Sequence, residues 1–391
     1  MPRRVVALIL MSLVPLTVFA ESVESRGMSV PSLRDAALGG EHVAFADGFE
    51  TLFSNPAGLV HVDPQFSFIP LTVRLAGPVF SLSSAIAQGI GGDLATVLAS
   101  PSVQDLLRSI YANLSLTGPL YFGYAGSGKG FAVLNESDAL FQNVGTAGFE
   151  ARLSQRLLVV AGYGLVIPLP DSWESSLSAG LGLKGFVRGD VIVRTSLLEL
   201  PALVDSAGFD LLTSSPFELI SGIGIDAGLS YQWRGTIGVA VTAENLYASS
   251  ATLSYDQLGE FLDSSGDAGL PAYSTPAREV TLGFAYTPSL GAFERYVQNL
   301  IVLIDYRDIF DFWMDPANTE NIILKLGLGV EATLLEVLAL RVGLGDGLFA
   351  AGLALNLASV TLSAAMHGSE LSAEPGLRPV YNLVLGLEFR R

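Results

Sequence analysis

Residues 322–332 read IILKLGLGVEA, and within them Leu324, Leu326, Leu328 and Val330 alternate with Lys325, Gly327, Gly329 and Glu331. A period of two puts alternate side chains on opposite faces of an extended strand, one greasy and one small or charged. Two more stretches follow the rule. Over 223–234, Ile223, Ile225, Ala227, Leu229, Tyr231 and Trp233 oppose Gly224, Asp226, Gly228, Ser230, Gln232 and Arg234. Over 381–389, Leu383, Leu385, Leu387 and Phe389 oppose Asn382, Val384, Gly386 and Glu388. Such an apolar face covers a sandwich core or meets lipid in a membrane barrel, whose other face lines the lumen. Segment length favours the barrel, because strands of about ten residues match a bilayer. Tyr163, Tyr231, Trp233, Tyr286, Tyr306, Trp313 and Tyr381 near segment ends form the expected aromatic girdles.

Composition supports this reading. The chain has 391 residues, is 50% hydrophobic and only 15% charged, and has a mean hydropathy of +0.48. Beyond residue 20 no apolar run reaches the roughly eighteen residues of a spanning helix, so the hydrophobicity is hidden by alternation. Residues 1–20 read as a signal peptide: Arg3-Arg4 charged, Val5 to Phe19 apolar, and Val18-Phe19-Ala20 a small-residue cleavage site before Glu21. No cysteine follows that site to carry a lipid anchor. Zero cysteines exclude disulfides and thiolate chemistry. A formal charge of −17, from 38 acidic and 21 basic residues with no Lys/Arg cluster, excludes nucleic acid as a partner.

Counting back from the C-terminus, the pattern predicts strands at 379–389, 358–367, 347–356, 336–345, 322–333, 298–307, 277–287, 235–246, 218–233, 176–194, 156–167, 143–153, 119–135 and 66–87. The long connections 88–118, 195–217, 247–276, 308–321 and 368–378 then all fall on one side, the external one, and most others are tight. The expected fold is all-β: a 14-stranded antiparallel transmembrane outer-membrane β-barrel over 65–391. Two external loops, Ala95–Leu114 and Ser196–Leu212, carry apolar residues at helical spacing.

Before the barrel stands DAALGGEHVAFADGFETLFSNPAGL, Asp35 to Leu59. Pro56 fixes its own φ and pushes Asn55 to an extended conformation, and Gly58 is expected to close the turn at positive φ. Gly39-Gly40 with Ala36, Ala37, Ala44 and Ala46 permits close backbone packing. A small-residue segment with a Gly-Gly pair and an NPAG turn, after a signal peptide and ahead of alternating strands, resembles the N-terminus of the FadL-like outer-membrane family. That family holds long-chain fatty acid transporters and, more distantly, PorV-type proteins of secretion systems. The phrase VAVTAENLY at 239–247 is similar to a strand-end pattern of the PorV-type relatives.

The resemblance implies a plug or hatch over 21–64 inside the barrel, and passive transport of a hydrophobic, fatty acid-like molecule across the bacterial outer membrane, in contact with its lipids. The plug side chains expected to line an apolar ligand pocket are Phe45, Phe49, Leu52 and Phe53, with Gly39, Gly40, Asn55, Pro56 and Gly58 fixing the backbone. Gly123, Gly126, Gly128 and Gly130 are the candidate lateral portal, or equally a bulge or turn. The alternative is a PorV-like scaffold that binds secreted protein partners. A lipid hydrolase is a third class, with a serine, His367 and a carboxylate meeting in space, but no G-x-S-x-G elbow is present.

No cofactor or metal is expected. His42, His61 and His367 lack metal spacing, although His42 and His61 flank the NPAG turn and could meet in the plug. Residues 305–315, DYRDIFDFWMD, lack the acid spacing and glycine of a calcium loop, so Arg307 with Asp305 and Asp308 reads as a rim cluster. GYAGSGKG at 123–130 fails as a phosphate loop, because Gly130 replaces the Ser or Thr and a strand follows. Lys184, Arg188, Asp226, Glu244, Lys325, Glu331 and Arg341 point inward on the pattern, where opposite charges are expected to pair.

Overall fold

The computed structural model describes residues 32–390 except 46, 79–109, 145–147, 197–208, 265, 267, 315, 317–318 and 358. Fifteen strands form one sheet: β1 Gln65–Ala76, β2 Tyr111–Gly126, β3 Lys129–Val144, β4 Gly148–Ile167, β5 Ser175–Ser196, β6 Phe217–Trp233, β7 Ile237–Tyr255, β8 Ala272–Ser274, β9 Glu279–Tyr286, β10 Val297–Tyr306, β11 Leu326–Leu334, β12 Leu338–Gly345, β13 Leu348–Leu357, β14 Val360–Glu370 and β15 Pro379–Arg390. Among the described residues the three-residue β8 pairs with β7 alone. The other fourteen run antiparallel to their neighbours and close through β1–β15. Closure leaves no free edge, which backbone crossing a bilayer requires.

Alternation decides the two faces. In β5, Leu181 and Leu183 are 60% and 54% exposed, whereas Lys184 is 2% exposed. Leu229, Val239, Leu282, Ile304, Leu340, Val342, Leu353 and Leu385 continue the outward apolar face. A continuous apolar face of this extent is intolerable in water and is what lipid contact demands. The chain is therefore a transmembrane β-barrel of the outer-membrane type.

The count of fourteen is met, but two expected boundaries are corrected in compensating ways. The single strand expected at 119–135 is the β2–β3 hairpin, with Gly126 paired to Lys129 around Ser127 and Gly128, both at positive φ. The two strands expected at 143–153 and 156–167 are the one strand β4, paired without interruption to β5 from Gly148↔Ser196 to Ile167↔Leu177. Polar Ser154, Gln155 and Arg156 look like a turn in sequence. Ser154 and Arg156 are instead buried lumenal groups, with Arg156 ion-paired to Glu136, while Gln155 accepts from the Ser137 hydroxyl at 2.6 Å.

The strand expected from Ile322 starts at Leu326. Asn321 accepts from the Ile323 amide at 3.1 Å and caps a short helix, Ile322–Lys325, ahead of it. The expected strand 66–87 ends at Ala76 within the described residues. Of the two expected loop helices, 95–109 and 197–208 lie outside the described residues. Tyr111–Leu114 already belongs to β2, and Phe209–Thr213 is a helix. The strand ends joined by 77–110, 197–216, 256–278, 307–325 and 371–378 lie at one rim, called here the long-loop rim.

Candidate functional site

Residues 32–64 precede β1 and pack against lumen-facing side chains. Ser32 caps the helix Leu33–Leu38, its hydroxyl accepting from the Asp35 amide at 2.9 Å, and Gly39 ends the helix at φ 86°. Asn55 is extended, as its place before Pro56 requires, at φ −151° and ψ 103°. Its Oδ1 accepts from the Ala57 amide at 3.0 Å and its Nδ2 donates to the Val43 carbonyl at 2.9 Å. Pro56–Val60 is a 3-10 helix beginning with the proline, a position that needs no N–H. Gly58 is a correction: it lies inside that helix and has no positive φ.

This segment is seated by backbone. A Cβ on Gly343 would lie 2.6 Å from the Gly39 nitrogen, and one on Gly180 would lie 2.6 Å from the Pro56 carbonyl oxygen. Neither position has room for one added carbon. The contacts also follow the wall in order. Leu33 meets Gly386 on β15, Ala37 meets Gly352 on β13 and Gly39 meets β12; His42 then reaches Asp305 on β10, and Val43 and Ala44 meet Gly283 on β9. After the crossing stretch 45–54, Asn55 donates to the Leu229 carbonyl on β6, Leu59 meets Gly162 on β4, and the Val62 carbonyl accepts from Ser127 at the β2–β3 turn.

Charged residues pin the same segment. Arg34 donates to Asp47 at 2.6 Å and to Glu331 at 2.5 Å, and Arg341 also donates to Glu331 at 2.5 Å. His42 and Asp305, both buried, meet at 2.5 Å, and Asp305 also accepts from the Val43 amide at 2.9 Å. Burial lowers the His42 pKa, but the Asp305 hydrogen bond and charge outweigh it, and the net direction is up. Burial likewise pushes the Asp35 carboxyl up to about 6, against the Ser32 hydrogen bond.

The inward charges singled out in the sequence do pair. Lys184 binds Asp226 at 2.8 Å and Glu244 at 3.1 Å, Arg188 binds Asp190 at 2.6 Å, and Lys325 pairs with Asp311. Two readings are corrected. His42 and His61 do not bond to each other; His42 goes to Asp305 and Leu38. Asp305 is no part of a rim cluster, and Arg307 binds Asp346 and the Leu324 carbonyl. Sequence reasoning missed Arg34 and Asp305 as anchors, since their partners lie 297 and 263 residues away.

Three of the four expected pocket residues occupy one apolar core, and the fourth, Phe45, packs half-buried against another with Leu38 and Val43. Phe49, Leu52 and Phe53 are buried with Leu59, Leu134, Leu158, Val160 and Phe186. Phe49 is centred 5.8 Å from Phe53 and 5.9 Å from Tyr121. Phe45 lies beneath Arg34, whose guanidinium carbon is 4.1 Å from the ring centroid. Phe49 and Phe53 border a cavity of about 350 Å³ whose other walls include Arg34, Asp47, Glu331, Arg341 and Glu388. Two more lumenal cavities lie toward the long-loop rim: about 290 Å³ beside Arg74, Arg156, Arg188 and His367, and about 410 Å³ beside Glu41, Glu244, Glu279 and Arg307. His367 Nδ1 faces the Gly368 carbonyl at 3.4 Å, and among the described residues it has no serine or carboxylate as hydrogen-bond partner.

The candidate portal glycines fall elsewhere than in a gap. Gly126 and Gly128 flank the β2–β3 turn, while Gly123 and Gly130 face inward, toward Phe49 and Leu52. The irregular wall is nearby. Register shifts between Phe68 and Leu71 toward β15, between Phe68 and Thr72 toward β2, and between Thr117 and Tyr121 toward β3 fall on consecutive strand pairs. Pro70 and Pro119 lie in these gaps and supply no ladder donor. Pro70, Thr72 and Thr117 also border the cavity that Phe49 and Phe53 border.

No protein-family model matches the chain, nor does any curated protein sequence. Among solved structures it is similar to the Pseudomonas putida toluene transporter TodX, at 12% identity over 94% of this chain and 99% of that one, with a TM-score of 0.44. A Pseudomonas aeruginosa FadL homologue shows 11% identity over 93% and 99%, with a TM-score of 0.30. A Salmonella typhi outer membrane phospholipase shows 10% identity over 84% and 90%, with a TM-score of 0.26.

Proposed function

We propose that this barrel is a passive outer-membrane channel for hydrophobic small molecules, of which long-chain fatty acids are the finer candidate. In this reading residues 1–20 are the export signal, 21–64 the plug and 65–391 the barrel. The observation that supports it is the N-terminal segment seated by its backbone against strand glycines. Its residues border the cavity beside Pro70, and its Glu41 borders one of the two cavities toward the long-loop rim. An open porin lumen would conduct polar solutes and has no use for such a segment. A fatty acid carboxylate would meet Arg74 in the 290 Å³ cavity, beside Arg156 and Arg188, which are held by Glu136 and Asp190. Phe45, Phe49, Leu52 and Phe53 then act as a movable apolar gate, since they fill their space at rest. Release through the wall is assigned to the seam at Pro70 and Thr117, in place of Gly123–Gly130.

Native mass spectrometry of the detergent-purified barrel, with extraction of bound lipid, tests the ligand; wild type carries fatty acid in this reading. Thr72 and Thr117 are register partners, and the chain has no other cysteine, so Thr72→Cys with Thr117→Cys gives a clean clasp across the seam. Oxidised clasp should slow ligand release into liposomes and reduced clasp restore it. Equal release in both states removes the seam from the route.

One observation favours the second reading, a PorV-like scaffold. The lumenal cavities are lined largely by charged and polar groups, while the apolar side chains of the segment are already packed. A barrel that purifies free of lipid and retains a secreted protein would establish that reading.

A further inference from the structure

The cavity of about 410 Å³ at the long-loop rim holds more negative charge than its own partners neutralise. Seven carboxylates border it, Glu41, Glu244, Glu279, Asp308, Glu320, Asp346 and Glu370, against Arg278, Arg307 and Lys325. Lys184 takes Glu244, Arg307 takes Asp346, and Glu370 is engaged by the amides of Ser372, Gly376 and Arg378. Glu41 and Glu279 have no ion pair with a described residue, and both feel the charge of Glu244. Burial, then Glu244, Asp35 and Glu279, push the Glu41 carboxyl well up, with Lys184 opposing.

A second observation is independent of charge. Asn245 borders the cavity and is 8% exposed. Its Nδ2 donates to the Ala277 carbonyl at 2.9 Å, which fixes the amide orientation, and its Oδ1 is buried with no hydrogen-bond partner. A buried acceptor without a donor is costly to maintain. The acids are not gathered for a metal: no group of three or more His, Asp or Glu among the described residues is arranged to hold one. A larger cation with several N–H donors meets both needs.

We propose that this cavity binds an organic ammonium ion, with Glu41 and Glu279 as counter-charges and Asn245 Oδ1 as a hydrogen-bond acceptor. The site does not depend on transport. A free alkylamine and the head group of an aminolipid share this chemistry.

The test is calorimetric titration of the full chain in non-ionic detergent with propylammonium, tetramethylammonium, propionate and calcium. Propylammonium should bind saturably. Tetramethylammonium, which has no N–H, should bind about tenfold more weakly, the worth of one charge-assisted hydrogen bond. Propionate should not bind. Glu41→Gln should weaken propylammonium about tenfold while raising the melting temperature of the ligand-free protein, because it relieves like-charge repulsion. The paired readout separates loss of the site from loss of the fold. Repeating the titration in nanodiscs with and without phosphatidylethanolamine assigns the source: competition indicates the lipid head group, and its absence a free amine. Unsaturable binding, calcium displacing the amine, or an unchanged affinity in Glu41→Gln overturns the proposal.

Discussion

Adding a methyl group at Gly343 and at Gly345 should lift the N-terminal segment from its seat while leaving the barrel closed. A Cβ at 343 falls 2.6 Å from the Gly39 nitrogen, where ordinary contact begins at 3.4 Å, and the 345 Cβ also meets Gly39 backbone. The Leu38 carbonyl lies closer still, so clearance needs a shift of more than about 1 Å, and the obstacle is main chain that no rotamer change can move. The helix Leu33–Leu38 cannot absorb that shift freely, since Arg34 is bound to Glu331 at 2.5 Å. Overpacking of this kind costs about 1–3 kcal/mol per site, and the two sites share partners, so the pair is not additive. In Gly343→Ala alone, amides such as Ala36 and Gly40, which donate to Ser32 and Asp35 at 3.0 and 2.9 Å, should exchange hydrogen about five- to 150-fold faster. Amides of β12, paired on both sides to β11 and β13, should keep wild-type protection. The double variant should go further in the same direction. Unchanged exchange over 36–40 in the double variant would refute the claim that backbone contact holds the segment.

Asn55→Ala removes the cap on Ala57 and leaves the Val43 carbonyl without its donor; about 2–4 kcal/mol of segment stability should go, read as faster chymotryptic cleavage at Phe49 and Phe53. Leu52→Ala empties a site 2% exposed and should destabilise by about 2–5 kcal/mol in denaturant unfolding, whereas Leu52→Met should cost under about 1.5. Outward Leu181→Arg should destabilise the liposome-embedded barrel by about 2–4 kcal/mol if position 181 lies near the midplane, with little change for Leu181→Met. The segment should also loosen with rising pH. The folded pKa values of Asp35 and His42 are raised, so each contributes stability that is complete below its unfolded value and lost as pH passes the folded one. For Asp35 that window is about 3.8 to 6, and for His42 it opens at 6.5 and extends upward. Exchange over 36–45 corrected for intrinsic rate should be slower at pH 5 than at pH 9, and His42→Gln should flatten the upper part of the profile.

Much of the barrel was legible because its rule is local. Leu383, Leu385 and Leu387 outward against Asn382 and Val384 inward is stated by the residues themselves. Boundaries failed where polarity has two meanings: Ser154-Gln155-Arg156 would make a turn, but a charged lumen welcomes Ser154 and Arg156 inside a strand. Gly126-Ser127-Gly128 failed the opposite way, a turn disguised as a bulge by the alternation on either side. In the segment, the conformation of Asn55 followed from Pro56, and the burial of Phe49, Leu52 and Phe53 from their greasiness. That they pack together as a core depends on Leu134, Leu158 and Phe186, which no local pattern ties to them. Arg34 with Glu331 and His42 with Asp305 are likewise meetings that only closure of the barrel creates.

Residues 33–44 touch β15, β13, β12, β10 and β9 in turn, and residues 55–62 touch β6, β4 and the β2–β3 turn, so the two runs together are a gauge of circumference. A hoop inside a cask fits one number of staves. With a hairpin fewer or more, Gly343 would no longer face Leu38 when Gly180 faces Pro56, and the buried Asn55 and His42 would lose their partners together. Strand number is thus written twice in this chain, once in the fourteen alternating stretches and once in the spacing of the residues that pack against them.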